Sequence, residues 1–268
     1  MRHLTTWTND FGTTIETIDY KTFLIYLESL NKKGIVKRTI VGYLRSLTHY
    51  FGYLQHENHR IDNPIENIKI KGVPKTVVKN TLDFEELEFL YYGFESEKAT
   101  HFRKRNKIIL GLLIYQGLRT QDIFNLKVED INLQKGQITI AGTRKSNGRI
   151  LPLVPWQFMD LIEYVNQIRP EIIHKENQYS DQFFLSEKGK LTIRNSLTSL
   201  QNELKSLNRN YQSFEQLRSS VIVYWLGQFN LRRVQYLAGH RYISSTERYK
   251  QTNLESLQEM ITAFHPIG

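Results

Sequence analysis

Residues 137–153 read QITIAGTRKSNGRILPL, and this stretch decides the fold class. Apolar and polar residues alternate through QITIA and again through RILPL, and Asn147-Gly148 between them is a strong hairpin-turn signal. Strand character extends over Glu129 to Pro152. The sequence on either side carries the helical period instead, so the chain reads as mostly α with a small antiparallel β-sheet.

Working outward, Ile108 to Tyr115 is the longest apolar run and predicts a buried helix, followed by a second helix near Thr120 to Leu126. Thr81 to Glu86 has the composition of a helix start. From Trp156 the pattern is mostly helical again, with Phe183 to Leu185 as a candidate extra strand. Nearer the N-terminus, Tyr20, Phe23, Leu24, Leu27 and Leu30 fall at helical spacing. So do Ile40, Tyr43, Leu44, Leu47, Tyr50, Phe51 and Leu54, and NKKGIVKRT joins the two runs, with Thr39 as a candidate N-cap. After Asn63-Pro64, alternating Lys and apolar residues with Gly72 and Pro74 mark a boundary. The expected organisation is an N-terminal helical domain at 1–72, a linker at 73–80 and a larger domain at 81–268. That domain ends in a helix with Leu254, Leu257, Met260 and Ile261 on its apolar face.

The 268 residues are 40% hydrophobic and 12% aromatic, enough to fill real cores. A formal net charge of +9 suits a polyanionic partner, because each phosphate neutralised by Lys or Arg releases a counterion. The first 80 residues hold 12 Lys and Arg against 7 Asp and Glu, so they carry +5 of that charge. With no cysteine, disulfides, thiolate catalysis and Cys-based zinc sites are excluded. No apolar run approaches the roughly 20 residues of a membrane span, and MRHLTTWTND lacks a signal-peptide core. A soluble cytoplasmic protein is expected.

Four separated elements supply phosphate-compatible side chains. In Gly117-Leu-Arg119-Thr-Gln-Asp122 an apolar helix stops at a glycine and an arginine follows, with an acid placed to aim and hold it. GTRKSNG presents Lys145 at the hairpin. Glu215-Gln-Leu-Arg218 opens the run VIVYWLG. Gly239-His240 is followed nine residues after the histidine by Tyr249. Two guanidiniums, an ammonium, an imidazole and a phenol suit attack on a phosphodiester with electrostatic stabilisation of the transition state. There is no Gly-rich phosphate loop and no carboxylate cluster at metal-ligand spacing.

In order and spacing these elements resemble the tyrosine recombinase (phage integrase) family, in particular its compact Xer-like members, and the N-terminal helices resemble the family's core-binding domain. The resemblance covers nearly the whole chain and implies a two-domain DNA clamp. It implies that Arg119, Arg218 and His240 contact the scissile phosphate, that Lys145 protonates the leaving 5′-oxygen, and that Tyr249 is the nucleophile. A 3′-phosphotyrosyl intermediate then conserves the bond energy, with no cofactor and no metal. Implied partners are double-stranded DNA and further protomers, in a homotetramer or a heterotetramer with a related recombinase on two DNA sites. Most simply the C-terminal helix packs on its own domain; the resemblance implies instead that it docks on a neighbour.

One departure stands out. The family usually places His, sometimes Lys, three residues before the second arginine, and this chain has Glu215. A carboxylate with a reference pKa near 4.3 is a weak base toward a phenol near 10. Glu215 is therefore expected to brace Arg119 or Arg218, and cleavage is expected to be slow. The hairpin is one residue short, which makes Arg144 the alternative to Lys145. Lys145 is preferred because a guanidinium is a poor proton donor. Two rival functions remain: a catalytically weak or inactive DNA-binding relative that regulates or partners a recombinase, and a type IB topoisomerase-like enzyme.

Overall fold

The computed structural model describes residues 2–73, 80–94, 100–176, 180–185 and 194–250. The chain divides into two compact units, Met1–Thr76 and Val77–Gly268.

The first unit contains α1 (Arg2–Phe11), α2 (Tyr20–Lys32) and α3 (Lys37–His56). Asp19 starts α2 by accepting from the Thr22 N–H at 2.8 Å, which satisfies one of the unpaired donors of a helix's first turn. Phe23, Tyr26, Leu27 and Leu30 of α2 bury against Ile40, Leu44, Leu47, Phe51 and Leu54 of α3, and Leu4, Ile18 and Ile65 complete this core. Tyr20 and Leu24, counted in the apolar stripe, are 53% and 41% exposed, so the buried face is narrower than the sequence suggests. Val36, not Thr39, precedes α3, without a side-chain cap. Thr39 lies inside its first turn. Helix α1 was not anticipated: its apolar face is little more than Leu4 and Trp7, closed by the buried Thr8, which donates to the Thr5 carbonyl.

The second unit is built around α5 (His101–Tyr115), where Ile108, Ile109, Leu110, Leu112, Leu113 and Ile114 are all buried. Burial of each such side chain contributes about 1.5–3 kcal/mol. Helix α4 (Phe84–Gly93) starts with a reciprocal cap in which the Glu86 N–H donates to Asp83 and the Asp83 N–H donates to Glu86. Short α6 (Thr120–Asn125) leads into an antiparallel sheet of β1 (Ile131–Asn132), β2 (Gln137–Ile140) and β3 (Arg149–Pro152), in that order. Ile138 pairs with Leu151 and Ile140 with Arg149. After the sheet come α7 (Gln157–Glu163), a π-helical turn over Tyr164–Ile168 and α8 (Arg169–Glu176), followed by α9 (Arg194–Leu207), α10 (Phe214–Gln228) and α11 (Leu231–Ala238). A last helical stretch covers 244–250.

Two expectations in this unit are corrected. The hairpin does not turn at Asn147-Gly148. It turns at Arg144 and Lys145, between Thr143 and Ser146, whose backbones pair at 2.8 and 3.3 Å while the Thr143 hydroxyl accepts from the Lys145 N–H at 3.1 Å. Asn147 is used elsewhere, its N–H donating to the Gly239 carbonyl at 3.1 Å. Phe183 to Leu185 adds no strand. Phe183 and Phe184 are both buried, which breaks the two-residue alternation of a half-buried strand. Only Gln182 bridges to Lys127, beside a Phe183 N–H to Leu126 carbonyl bond of 2.8 Å. The linker residues 74–79 and the expected C-terminal helix lie outside the described residues.

Candidate active site

Gly117 ends the α5 segment in the left-handed region, at φ +57°, and an added Cβ would sit 2.8 Å from Trp225. The turn aims Arg119 out of the core, half-buried at the N-terminus of α6. Helix α10 is capped by Ser213, which accepts from the Gln216 N–H at 3.2 Å, and it carries Arg218 into the interior at 1% exposure. Arg218 Nη1 donates to the Gly117 carbonyl, and Nη2 donates to the Ala238 carbonyl at 2.6 Å. One guanidinium therefore ties the end of α5 to the end of α11.

Helix α11 ends at Gly239, again left-handed at φ 63°, the conformation glycine adopts without a Cβ penalty. That reversal delivers His240 beside Arg218, with Nε2 3.4 Å from Arg218 Nη2. A guanidinium only donates, so Nε2 is the acceptor and the ring proton sits on Nδ1, 2.9 Å from the Thr246 hydroxyl. Burial first, then Arg218, Arg119, Arg248 and Arg149, push the imidazole down to about 3. His240 is neutral at pH 7. Burial, followed by the neighbouring Arg119 and Arg149, lowers Arg218 to about 10, which leaves it charged. The Tyr249 ring stacks on His240 with centroids 5.8 Å apart and planes 13° from parallel. It is 5% exposed.

The hairpin tip is tethered to the same place: Ser146 bridges to His240, and the Asn147 amide reaches the His240 carbonyl at 3.4 Å. Lys145 and Arg144 are both exposed at that tip. The assembly gathers arginine guanidiniums around a neutral imidazole, an arrangement that stabilises the extra negative charge of a five-coordinate phosphate. Among the described residues no group of three His, Asp or Glu side chains is placed to hold a metal ion.

Residues 80–255 match the phage integrase family. The chain belongs to that family. It is 27% identical over 255 residues to the tyrosine recombinase XerC of Bacillus pumilus, covering 94% of this chain and 82% of the relative. It is 29% identical over 244 residues to the tyrosine recombinase XerA of Pyrococcus furiosus, covering 89% and 78%. Among solved structures it resembles XerH site-specific recombinase bound to a palindromic difH substrate, with TM-score 0.73, 23% identity, and coverage of 92% of this chain and 72% of that one. The Tn1549 transposon integrase with a circular intermediate DNA superposes at TM-score 0.64 and 14% identity, with coverage of 92% and 87%. The protein is thus a tyrosine recombinase, and the reading as an inactive regulatory relative is not favoured. No helix among the described residues is long and apolar enough to cross a membrane.

Within this recombinase the structure brings Arg119, Arg218, His240 and Tyr249 together and keeps Lys145 close by on the tethered hairpin. Two sequence assignments are corrected. Asp122 does not hold the Arg119 side chain: its Oδ2 accepts from the Arg119 backbone N–H at 3.1 Å and from Arg149 Nη2 at 2.9 Å. The ion pair goes to Arg149 because that guanidinium is fully buried and needs the countercharge. Glu215 braces neither arginine. It lies on the exposed side of the first turn of α10, where water solvates its charge.

Arg149 and Thr246 were missed. The signal for Arg149 was present: period-two alternation in RILP puts it on the face of Leu151, and both are buried. Thr246 is 0% exposed, and no spacing argument predicted its contact with His240.

Proposed function

We propose that this protein cleaves one DNA strand at a specific short site through Tyr249, holds it as a 3′-phosphotyrosyl ester, and rejoins it to a partner strand. The phenolic oxygen attacks phosphorus as the bond to the 5′-oxygen breaks. The phenol's proton passes to water, and Lys145 gives a proton to the departing 5′-oxygen. Arg119 and Arg218 hold the non-bridging oxygens, and the neutral imidazole of His240 packs beside them and fixes the ring of Tyr249. A 5′-hydroxyl from a second strand reverses the sequence, so the bond energy is kept.

The single observation that carries this reading is the convergence of Arg119, Arg218, His240 and Tyr249 from four separate elements on one buried positive site. Glu215, exposed where the family usually has a histidine, leaves the phenolic proton without a built acceptor there, so cleavage is slow. The protein acts in the cytoplasm as a homotetramer, or a heterotetramer with a related recombinase, on two duplex sites. Its outcome is integration, excision or inversion. The basic N-terminal unit serves as the core-binding domain at 1–72, the linker 73–80 connects it to the catalytic domain at 81–268, and the C-terminal helix docks on a neighbour.

Site selection from a random duplex pool, followed by a plasmid carrying two copies of the selected site, tests the proposal. Recombinant circles support it. Relaxation of supercoils without recombinants favours the topoisomerase-like alternative, and binding with neither product contradicts strand exchange.

A further inference from the structure

The least expected member of the cluster is Arg149, the first residue of β3. Its side chain is 0% exposed. Its ion pair, Nη2 to Asp122 Oδ2 at 2.9 Å, uses the same carboxylate oxygen that accepts the Arg119 N–H at 3.1 Å. Asp122 therefore joins Arg149 directly to the backbone from which Arg119 projects. On its other side the guanidinium lies against Gly239: a Cβ there would stand 2.6 Å from Nη1 and 3.0 Å from Cζ. Gly239 is the residue whose left-handed turn places His240. Two residues before Arg149, the Asn147 N–H donates to the Gly239 carbonyl at 3.1 Å, closing a loop between β3 and the end of α11.

A buried pair present only for stability would be expected to satisfy its donors, since unpaired buried polar groups are costly and cores avoid them. Arg149 Nε and Nη1 are buried and have no partner among the described residues. Its charge is also felt at the site, where it contributes to lowering both Arg218 and His240.

We infer that Arg149 is a positioning residue for strand cleavage, holding Arg119 through Asp122 and His240 through Gly239 in one register around the phosphate. This rests on the reading of residues 119–249 as a phosphodiester-cleaving site. Displacing Arg119, which holds the phosphate, or His240, which fixes the ring of Tyr249, by about an ångström is enough to slow a positioned reaction on the order of 100-fold. DNA affinity, which is spread over many lysines and arginines, is affected little.

The test uses the full chain and a nicked suicide duplex of the selected site at saturating protein, comparing wild type, Arg149→Met, Arg149→Lys, Asp122→Asn and the Asp122→Asn/Arg149→Met double variant. Covalent adduct formation, duplex affinity and Tm are read in parallel. The expected result is an adduct rate on the order of 100-fold lower in Arg149→Met, with affinity within about 3-fold of wild type. Arg149→Lys, which keeps the charge but not the fork, recovers part of the rate. The double variant is no slower than the slower single, because the pair acts as a unit. Should Arg149→Met not fold, Arg149→Lys and Asp122→Asn carry the same comparison. If wild type forms the adduct and the folded variants match its rate at saturation, the inference fails while the cleavage reading stands. If wild type itself forms none, the cleavage reading fails and this inference with it.

Discussion

The buried guanidiniums of this recombinase and the charged groups it exposes around the site are built in opposite ways. Arg218 and Arg149 are inside the protein, held by the carbonyls of Gly117 and Ala238 and by Asp122. Lys145 stands in solvent at the hairpin tip and Glu215 on the outer side of α10. The buried arginines are held by the fold itself, whereas Lys145 and Glu215 stand in solvent. Electrostatic stabilisation gains most from rigidity, because no reorganisation is needed at the moment of reaction.

This contrast is open to attack. Lys145→Ala should slow cleavage of an ordinary duplex by about 10²–10⁴-fold, the usual range for loss of a general acid. A substrate whose leaving 5′-oxygen is replaced by sulfur, which departs without a proton, should restore most of that rate. Arg144→Ala should show neither behaviour. If Arg144→Ala is the variant that the sulfur substrate rescues, the assignment at the hairpin is reversed.

The buried side of the contrast has its own signature in pH. His240 is lowered from 6.5 to about 3 by burial and the surrounding arginines. Its contribution to stability is therefore fully present above about 6.5 and is lost as pH falls toward 3, by up to about 1.4 kcal/mol per pH unit. Wild type should lose Tm faster than His240→Gln between pH 6.5 and 4. Parallel Tm curves would contradict a neutral, arginine-flanked histidine.

The smallest expected effect lies at Glu215. Glu215→His places a base of suitable pKa three residues before Arg218 and should raise the cleavage rate about 10-fold or less, below the roughly 10²–10⁴-fold of a fully positioned general base. An unchanged or lower rate would mean that the carboxylate is not what limits cleavage.

Much of this was legible before the structure. The helix spacing of Phe23 to Leu54, the alternation in QITI and RILP, and the order Arg119, Lys145, Arg218, His240, Tyr249 are local or periodic signals, and period and spacing survive in a one-dimensional string. What escaped is non-local. Asn147-Gly148 has the composition of a tight turn, but Asn147 bonds to the Gly239 carbonyl, so the turn moved to Arg144 and Lys145. Asp122 was assigned to the nearest arginine in sequence, while the fold supplied a more deeply buried one from β3. Helix α1 has too few apolar residues to announce itself, and its order comes from packing of Leu4 and Trp7 on α2 and α3.

We propose Tyr249, stacked on a neutral His240 beside Arg218, as the nucleophile of DNA strand cleavage. The most direct measurement is incubation of wild type and Tyr249→Phe with a nicked suicide duplex of the selected site, followed by denaturing electrophoresis. A covalent protein–DNA band in wild type, absent in Tyr249→Phe while duplex binding is retained, is the predicted result. A band of equal intensity in Tyr249→Phe, or tight binding by wild type with no band at all, would contradict the account.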